Sequence, residues 1–368
     1  MSISQLNSAV ARTPVEIWTE ILSYLVDDPK AHPLCEPIEF EDYVYPSEFD
    51  KATYETLRAV CRSWRTIVEQ CACIPQEVAI RNKNPTSKAL SQNANYLGIS
   101  WHNMPSEFPE ISSAFGVPSC RVIQIWVEFN LDSNLLRNII QWLAGLPSLR
   151  ALRLRCYFNM PLNEPEVLFK LLSNTCTNLT SLSIGHFMPS PEPLSLPRLK
   201  ILIFQFNLRN GPLTHSFSGW SLPRLTMLGL TFDNLAHPRI VGLNIFGPIT
   251  KGIKALYLYT YPMYTTNFPI NLDKTFPSLE FLFLRNTPLH LSKPIPPQHP
   301  LQFIKFSSFH IYPIFSSSVL PPEQHTRLQP VKLYLEHEQH LLEDSKFLDA
   351  LMHAGMEAST WNGEHGAQ

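Results

Sequence analysis

From residue 94 onward the apolar positions follow one recurring spacing. An apolar residue is followed three and then five positions later by two more, so the chain repeatedly reads L-x-x-L-x-L, with Ile, Val or Phe in place of some leucines. The clear copies begin as Val122-Ile125-Val127, Leu149-Leu152-Leu154, Leu179-Leu182-Ile184 and Leu199-Leu202-Phe204. They continue as Leu225-Leu228-Leu230, Ile253-Leu256-Leu258, Leu279-Leu282-Leu284 and Leu301-Ile304-Phe306. Weaker copies stand at the two ends, Ala94-Leu97-Ile99 and Leu328-Val331-Leu333. Alternation at positions 4 and 6 predicts a short strand in each copy, with those two side chains turned inward and positions 3, 5 and 7 turned to the opposite face. One such strand cannot bury its own apolar face, so successive copies are expected to stack into a single parallel sheet.

The first positions lie 20 to 30 residues apart, which is the spacing of leucine-rich repeats. A second word precedes the pattern at a fixed distance: Leu146-Pro-Ser-Leu, Leu196-Pro-Arg-Leu, Leu222-Pro-Arg-Leu and Phe276-Pro-Ser-Leu. The copies are degenerate. The Asn or Cys usual at position 9 survives only as Asn207, with Asp233 a near match. The returning segments also vary. Ser133–Ala144 and Pro165–Leu172 carry apolar residues at helical spacing, whereas Thr287–Pro300 holds five prolines and is expected not to be helical. The fold class expected is α/β: an irregular leucine-rich-repeat solenoid with parallel strands on its concave face, helices on its convex side early and extended loops later.

Residues before the repeats follow a different period. Thr13-Pro14-Val15-Glu16 combines an N-cap, a proline at the first helical position and a glutamate that completes a capping box. Ile17, Trp18, Ile21, Leu22 and Leu25 then recur at helical spacing, as do Leu57, Val60, Cys61, Trp64, Ile67 and Val68 further on. Between the two stretches, residues 27–50 carry eight acids, one lysine and four prolines, the composition of a solvated insertion. Three segments are expected: a helical domain over 1–73 interrupted at 27–50, the repeats over 74–335, and a C-terminal helix with an acidic tail over 336–368.

Charge follows the same division. Residues 1–70 and 336–368 each carry net −6 and the stretch between them +10, while the whole chain is −2. Lys and Arg in the basic body are dispersed singly, without the stripe that tracks a phosphate backbone, so nucleic acid is not the expected partner. No apolar run reaches the roughly 18 residues of a membrane helix, and the first residues lack a secretory signal. Seven irregularly spaced cysteines do not form a disulfide framework, which points to an intracellular protein of the cytoplasm or nucleus.

Thirteen glycines form no phosphate-binding loop, and there is no G-x-S-x-G elbow. His337-x-x-His340 lacks a third ligand, and Cys71-x-Cys73 has the wrong spacing for a zinc or redox pair. No catalytic residue, metal or cofactor is expected. The composition is that of a binding protein.

Pro14-Val15-Glu16-Ile17-Trp18-x-x-Ile21-Leu22, followed by Leu57-Arg58-Ala59-Val60-Cys61-Arg62-Ser63-Trp64, resembles an F-box. Followed by degenerate repeats, it is similar to the F-box proteins expanded in fungi, in which a variable loop often splits the motif. The family's Leu before the proline is Thr13 here, and its closing Leu-Trp is Ile74-Pro75. The resemblance implies a substrate-recognition subunit of a Skp–cullin–F-box ubiquitin ligase, performing no chemistry itself. Pro14, Ile17, Ile21, Leu22, Leu57, Val60, Cys61 and Trp64 would bind the Skp-type adaptor and, through it, a cullin. The alternative is a leucine-rich-repeat scaffold or sensor that joins no ligase.

The outward strand positions suggest where a protein substrate would sit. They are aromatic and basic late in the array, at Tyr257, Tyr259, Phe281, Phe283, Arg285, Phe303 and Lys305, and basic early, at Arg153 and Arg155. Aromatics and arginine dominate interface hot spots. The late group is expected to recruit substrate, with Arg153 and Arg155 meeting an acidic or phosphorylated segment. The competing expectation is that the C-terminal helix folds back over the aromatics as a lid.

Overall fold

In the computed structural model the residues described are 56, 59, 60, 62, 64–66, 75–81, 84–85, 96–101, 120, 122–127, 133–156, 164–187, 193–207, 217, 219–233, 243–260, 268–270, 272–285, 289–291, 296, 298–307, 331–335 and 356–360. Fifteen strands fall within them. They are β1 (Pro75–Arg81), β2 (Asn84–Pro85), β3 (Tyr96–Trp101), β4 (Val122–Val127) and β5 (Ala151–Cys156). Next come β6 (Ser181–Phe187), β7 (Ile201–Asn207), β8 (Met227–Asp233), β9 (Ala255–Thr260) and β10 (Phe268–Ile270). The last are β11 (Phe281–Arg285), β12 (Leu289–Leu291), β13 (Phe303–Ser307), β14 (Val331–Leu335) and β15 (Met356–Thr360). Helix α1 (Ser133–Ala144) follows β4, α2 (Glu164–Thr175) follows β5 and the short α3 (Leu272–Thr275) precedes β11.

Thirteen of the strands form one sheet whose spatial order from β3 to β15 is the chain order, skipping only β10 and β12, which pair with each other. Every pairing in it is parallel except the small β1–β2 ribbon at one edge. Equivalent residues line up across the strands: Ile123, Leu152, Leu182, Leu202, Leu228, Leu256, Leu282 and Ile304 form one continuous row. All eight are buried without exposed surface, as positions 4 of the pattern should be.

The recurring word before each strand is a tight turn. Leu149 N–H donates to the Leu146 carbonyl at 3.1 Å, and the same bond recurs from Leu199 to Leu196, Leu225 to Leu222 and Leu279 to Phe276. Proline stands second in each, where its fixed φ suits such a turn and its missing N–H is not needed. The residue after the turn joins neighbouring repeats through backbone bonds of 2.7–2.9 Å, running Thr180 to Arg150, Lys200 to Thr180, Thr226 to Lys200 and Lys254 to Thr226. Local sequence thus sets the entry point of each strand, and the ladder sets its register.

Helices α1 and α2 present Leu136, Ile139, Ile140, Leu143, Leu168 and Leu172 to the inner face of the sheet, and these join the leucine rows in one core that runs from Leu97 to Ile304. No helix appears among the described residues of 287–300, as the prolines predicted. Aromatics fill part of the interior beside the leucine rows. Phe217 stacks on Phe246 at 4.6 Å and meets Trp220 edge-on at 4.5 Å, while Phe206 stacks on Phe232 at 5.5 Å. Near the far end His299 is a buried strut: its Nδ1 accepts from Leu301 N–H at 3.2 Å, so Nε2 carries the proton and donates to the Phe276 carbonyl at 3.0 Å.

Three expectations are corrected. The copy expected at Val122-Ile125-Val127 is Cys120-Ile123-Ile125, because Leu152 pairs with Ile123 and buried Cys120 takes the place of the first leucine. The last copy is displaced likewise, Leu333 rather than Val331 pairing with Ile304. In both, a two-residue slip preserves which side chains face inward, so alternation alone could not detect it. The sheet also takes in β15, which pairs in parallel with β14 inside the stretch expected to hold a C-terminal helix and an acidic tail. The insertion at 27–50 and the helix expected over 336–354 lie outside the described residues.

Candidate functional site

Two regions carry the residues singled out by sequence. Of the adaptor group, Val60 and Trp64 are described, while Pro14, Ile17, Ile21, Leu22, Leu57 and Cys61 lie outside the described residues. Thr56, Ala59, Val60, Arg62 and Trp64 to Thr66 have helical backbone, in keeping with the predicted period. Trp64 is half-buried. Val60 is 50% exposed, the one large hydrophobic among the described residues left so open to solvent.

All nine members of the substrate group stand on the outward face of the sheet, opposite the leucine rows, as positions 3, 5 and 7 require. Register brings them together in two places. Arg153 and Arg155 lie on β5, and the other seven occupy the adjoining strands β9, β11 and β13. The aromatics form their own packed layer: Phe281 meets Phe303 at 4.7 Å, Phe283 meets Phe303 edge-on at 5.8 Å, and Tyr257 stacks on Phe283 at 6.2 Å.

An open aromatic surface was expected, and the structure corrects this. Tyr257, Phe283 and Phe303 keep only 6, 4 and 5% of their surface exposed, and Arg153 and Lys305 are as deeply buried. The three aromatics form, with Ala151, Ile203 and Ala255, a second hydrophobic cluster on this face. Strand periodicity gives the side a residue faces, not its depth. Along position 7, at the carboxyl ends of the strands, Trp126, Arg155, Gln205, Thr231, Tyr259 and Arg285 are all half-buried, as are Val122, Gln124, Ile201, Met227 and Phe281 nearer the amino ends.

Two cation–π pairs occupy that row. The Arg155 guanidinium lies 5.3 Å from the centre of the Trp126 ring, and that of Arg285 lies 5.3 Å from Tyr259. In each, an arginine at position 7 stacks on an aromatic at position 7 of the preceding strand in the sheet. Stacking fixes the plane of the guanidinium and so the direction of its in-plane donors. Sequence reasoning missed Trp126 and Gln205, although the alternation along β4 and β7 already puts both on the outward face.

The burial makes a prediction. Replacing both Tyr257 and Phe283 with Ala removes two large buried side chains, each truncation costing about 3–5 kcal/mol for a ring of this kind. The double variant is therefore expected to melt well below the wild type in a calorimetric scan. An unchanged melting temperature would show that the rings are surface groups, as the sequence suggested.

Two buried cysteines among the described residues are structural. Burial pushes the Cys120 thiol up to about 12, against the smaller opposing effect of its 3.2 Å hydrogen bond to the Val122 carbonyl. Cys176 is likewise raised by burial, opposed by a contact with Thr175 Oγ1 at 3.6 Å. A thiol held so far above neutrality is a poor nucleophile. Among the described residues there is no group of three or more potential metal ligands, and no helix is long and apolar enough to cross a membrane. Compared with known proteins, the chain matches no family model and no curated sequence.

Proposed function

We propose that this chain is a substrate-recognition subunit of a Skp–cullin–F-box type ubiquitin ligase. Its N-terminal segment acts as the F-box that holds a Skp-type adaptor, and its repeats act as an irregular leucine-rich-repeat solenoid that holds a protein substrate. The observation that carries the first half is Val60. A half-exposed valine beside Trp64 on a helical segment, within a Val-Cys-x-x-Trp word, is what an apolar helix-packing interface would leave uncovered in the free subunit. The second half is supported by the one-dimensional order of the strands and by the residue types on their outward face.

On this reading the chain is not an enzyme. It acts by proximity, raising the effective concentration of a substrate lysine beside a charged conjugating enzyme. The test is affinity purification of the full chain from cells, followed by mass spectrometry, with and without a proteasome inhibitor. A Skp-type adaptor and a cullin should co-purify in both conditions, and substrate proteins should accumulate only with the inhibitor. Partners that include neither ligase component would instead favour a repeat scaffold.

A further inference from the structure

The turns that begin the strands carry a different chemistry from either face of the sheet. In the described residues of these turns and strand starts, from β5 to β9, stand Arg150, Arg198, Lys200, Arg224, Lys251 and Lys254, all exposed, and no Asp or Glu. The first acids met are Asp273 and Glu280, just before β11. Read along the chain these cations are dispersed, which is why nucleic acid was not the expected partner. Stacking of the repeats gathers them on one rim, at the amino ends of the strands.

The backbone shows how. Ser195 and Ser221 form a bridge just before the two Leu-Pro-Arg-Leu turns, and Thr226 N–H donates to the Lys200 carbonyl at 2.9 Å just after them. Arg198 and Arg224 therefore stand side by side, at equivalent places before β7 and β8. The next turn has Gly252 in the place of the arginine, where a Cβ would meet the Leu225 carbonyl oxygen at 3.1 Å. That close approach brings the Lys251 turn against the Arg224 turn. Two of the six cations are engaged: Arg150 Nη1 donates to the Pro147 and Leu149 carbonyls, both at 3.1 Å, and Lys254 Nζ donates to Glu280 at 2.8 Å. Arg198, Lys200, Arg224 and Lys251 make no hydrogen bond or ion pair among the described residues. Four exposed like charges on three strands that span about 10 Å attract a polyanion.

We propose that this rim is a contact surface for the phosphate backbone of duplex nucleic acid, bound without regard to sequence. The cations form a line, and each strand of a duplex presents a phosphate about every 3.4 Å along its axis, so the line faces several of them at once. Exposed, hydrated Lys and Arg suit binding by counterion release, which needs charge rather than fixed geometry. A protein partner would need an apolar anchor at the centre of the contact, and a membrane is held best by charge together with an inserted apolar group. Among the described residues the one large hydrophobic so exposed is Val60, away from this rim. Single strands are gripped by aromatic platforms, and the aromatics of these turns, Phe217 and Trp220, are buried in the core. The surface is independent of the ligase reading, since it uses neither the adaptor segment nor the outward face.

Fluorescence anisotropy of a short labelled DNA duplex titrated with the full chain tests the rim. Unlabelled duplex, polyglutamate and vesicles containing phosphatidylserine, matched in total charge, serve as competitors. Affinity should fall about a hundredfold between about 50 and 200 mM salt, the log–log slope of about −3.6 that four phosphate contacts give. Arg198→Gln, Lys200→Gln, Arg224→Gln and Lys251→Gln should each make the slope shallower by about 0.9. The fourfold variant should lose saturable binding while melting like the wild type, because all four side chains are exposed. No saturable duplex binding at low salt, or a slope unaltered in the folded fourfold variant, would overturn the proposal. So would better displacement by polyglutamate or by vesicles than by unlabelled duplex, which would assign the rim to an acidic protein or to a membrane. The fourfold variant should bind a Skp-type adaptor as the wild type does, so the two readings fail separately.

Discussion

Leu256→Asp is expected to give insoluble protein. Leu256 is position 4 of β9, flanked in register by Leu228 on β8 and Leu282 on β11, and none of the three has exposed surface. A carboxylate there loses the leucine's burial, worth about 1.5–3 kcal/mol. It also places an unpaired charge or a strained neutral acid in an apolar row with no partner of its own kind. Together these exceed about 4–5 kcal/mol, most of the 5–15 kcal/mol that holds a typical domain folded. The damage is shared by neighbours, because the inward side chains of successive strands pack in one continuous core. Expression followed by centrifugation and limited proteolysis checks this. Soluble, protease-resistant Leu256→Asp protein would show that position 256 does not face inward, and the repeat register would be wrong throughout.

That register was largely legible in the chain because two independent signals coincide. The turn word Leu-Pro-x-Leu marks where a strand begins, and the alternation at positions 4 and 6 marks which side it buries. Where only one signal is present, the reading slips. Before β4 the turn word reads Val117-Pro118-Ser119-Cys120, with neither of its leucines, and Cys120 stands where a leucine would have shown the phase, so the copy was placed two residues late. At β15 the residues in register with Leu333 and Leu335 are Ala358 and Thr360, which carry no strong apolar signal.

The outward face was legible in composition but not in depth. A period of two says that Phe283 and Arg153 leave the leucine core. It cannot say that aromatic neighbours with ring centres 5.8 and 6.2 Å apart pack against one another, or that Arg153 is buried. The burial of Ser181 and Ser183 was hidden for the same reason: small polar residues on a strand read as ordinary surface until their depth is known. Helical spacing around Val60 and Trp64 was recognisable from the start, since apolar positions at i, i+3 and i+4 fix a helix face with no help from the rest of the chain.

The second large effect concerns the adaptor. Leu22 and Trp64 belong to the two stretches that carry the F-box resemblance, one from each side of the acidic insertion. An aspartate at 22 would put a charge into the centre of an apolar helix-packing interface, where an unpaired ion cannot be compensated. Truncating Trp64 removes the largest side chain of the Val-Cys-x-x-Trp word. On the proposed F-box reading, the two changes together should eliminate adaptor binding while the sheet stays folded. The deciding measurement is size-exclusion chromatography with light scattering on the purified full chain mixed with a Skp-type adaptor. The wild type should elute as a one-to-one complex, and folded Leu22→Asp, Trp64→Ala protein should elute alone. A wild type that never shifts, or a double variant that shifts as fully as the wild type, would contradict the assignment of this chain as an F-box substrate receptor.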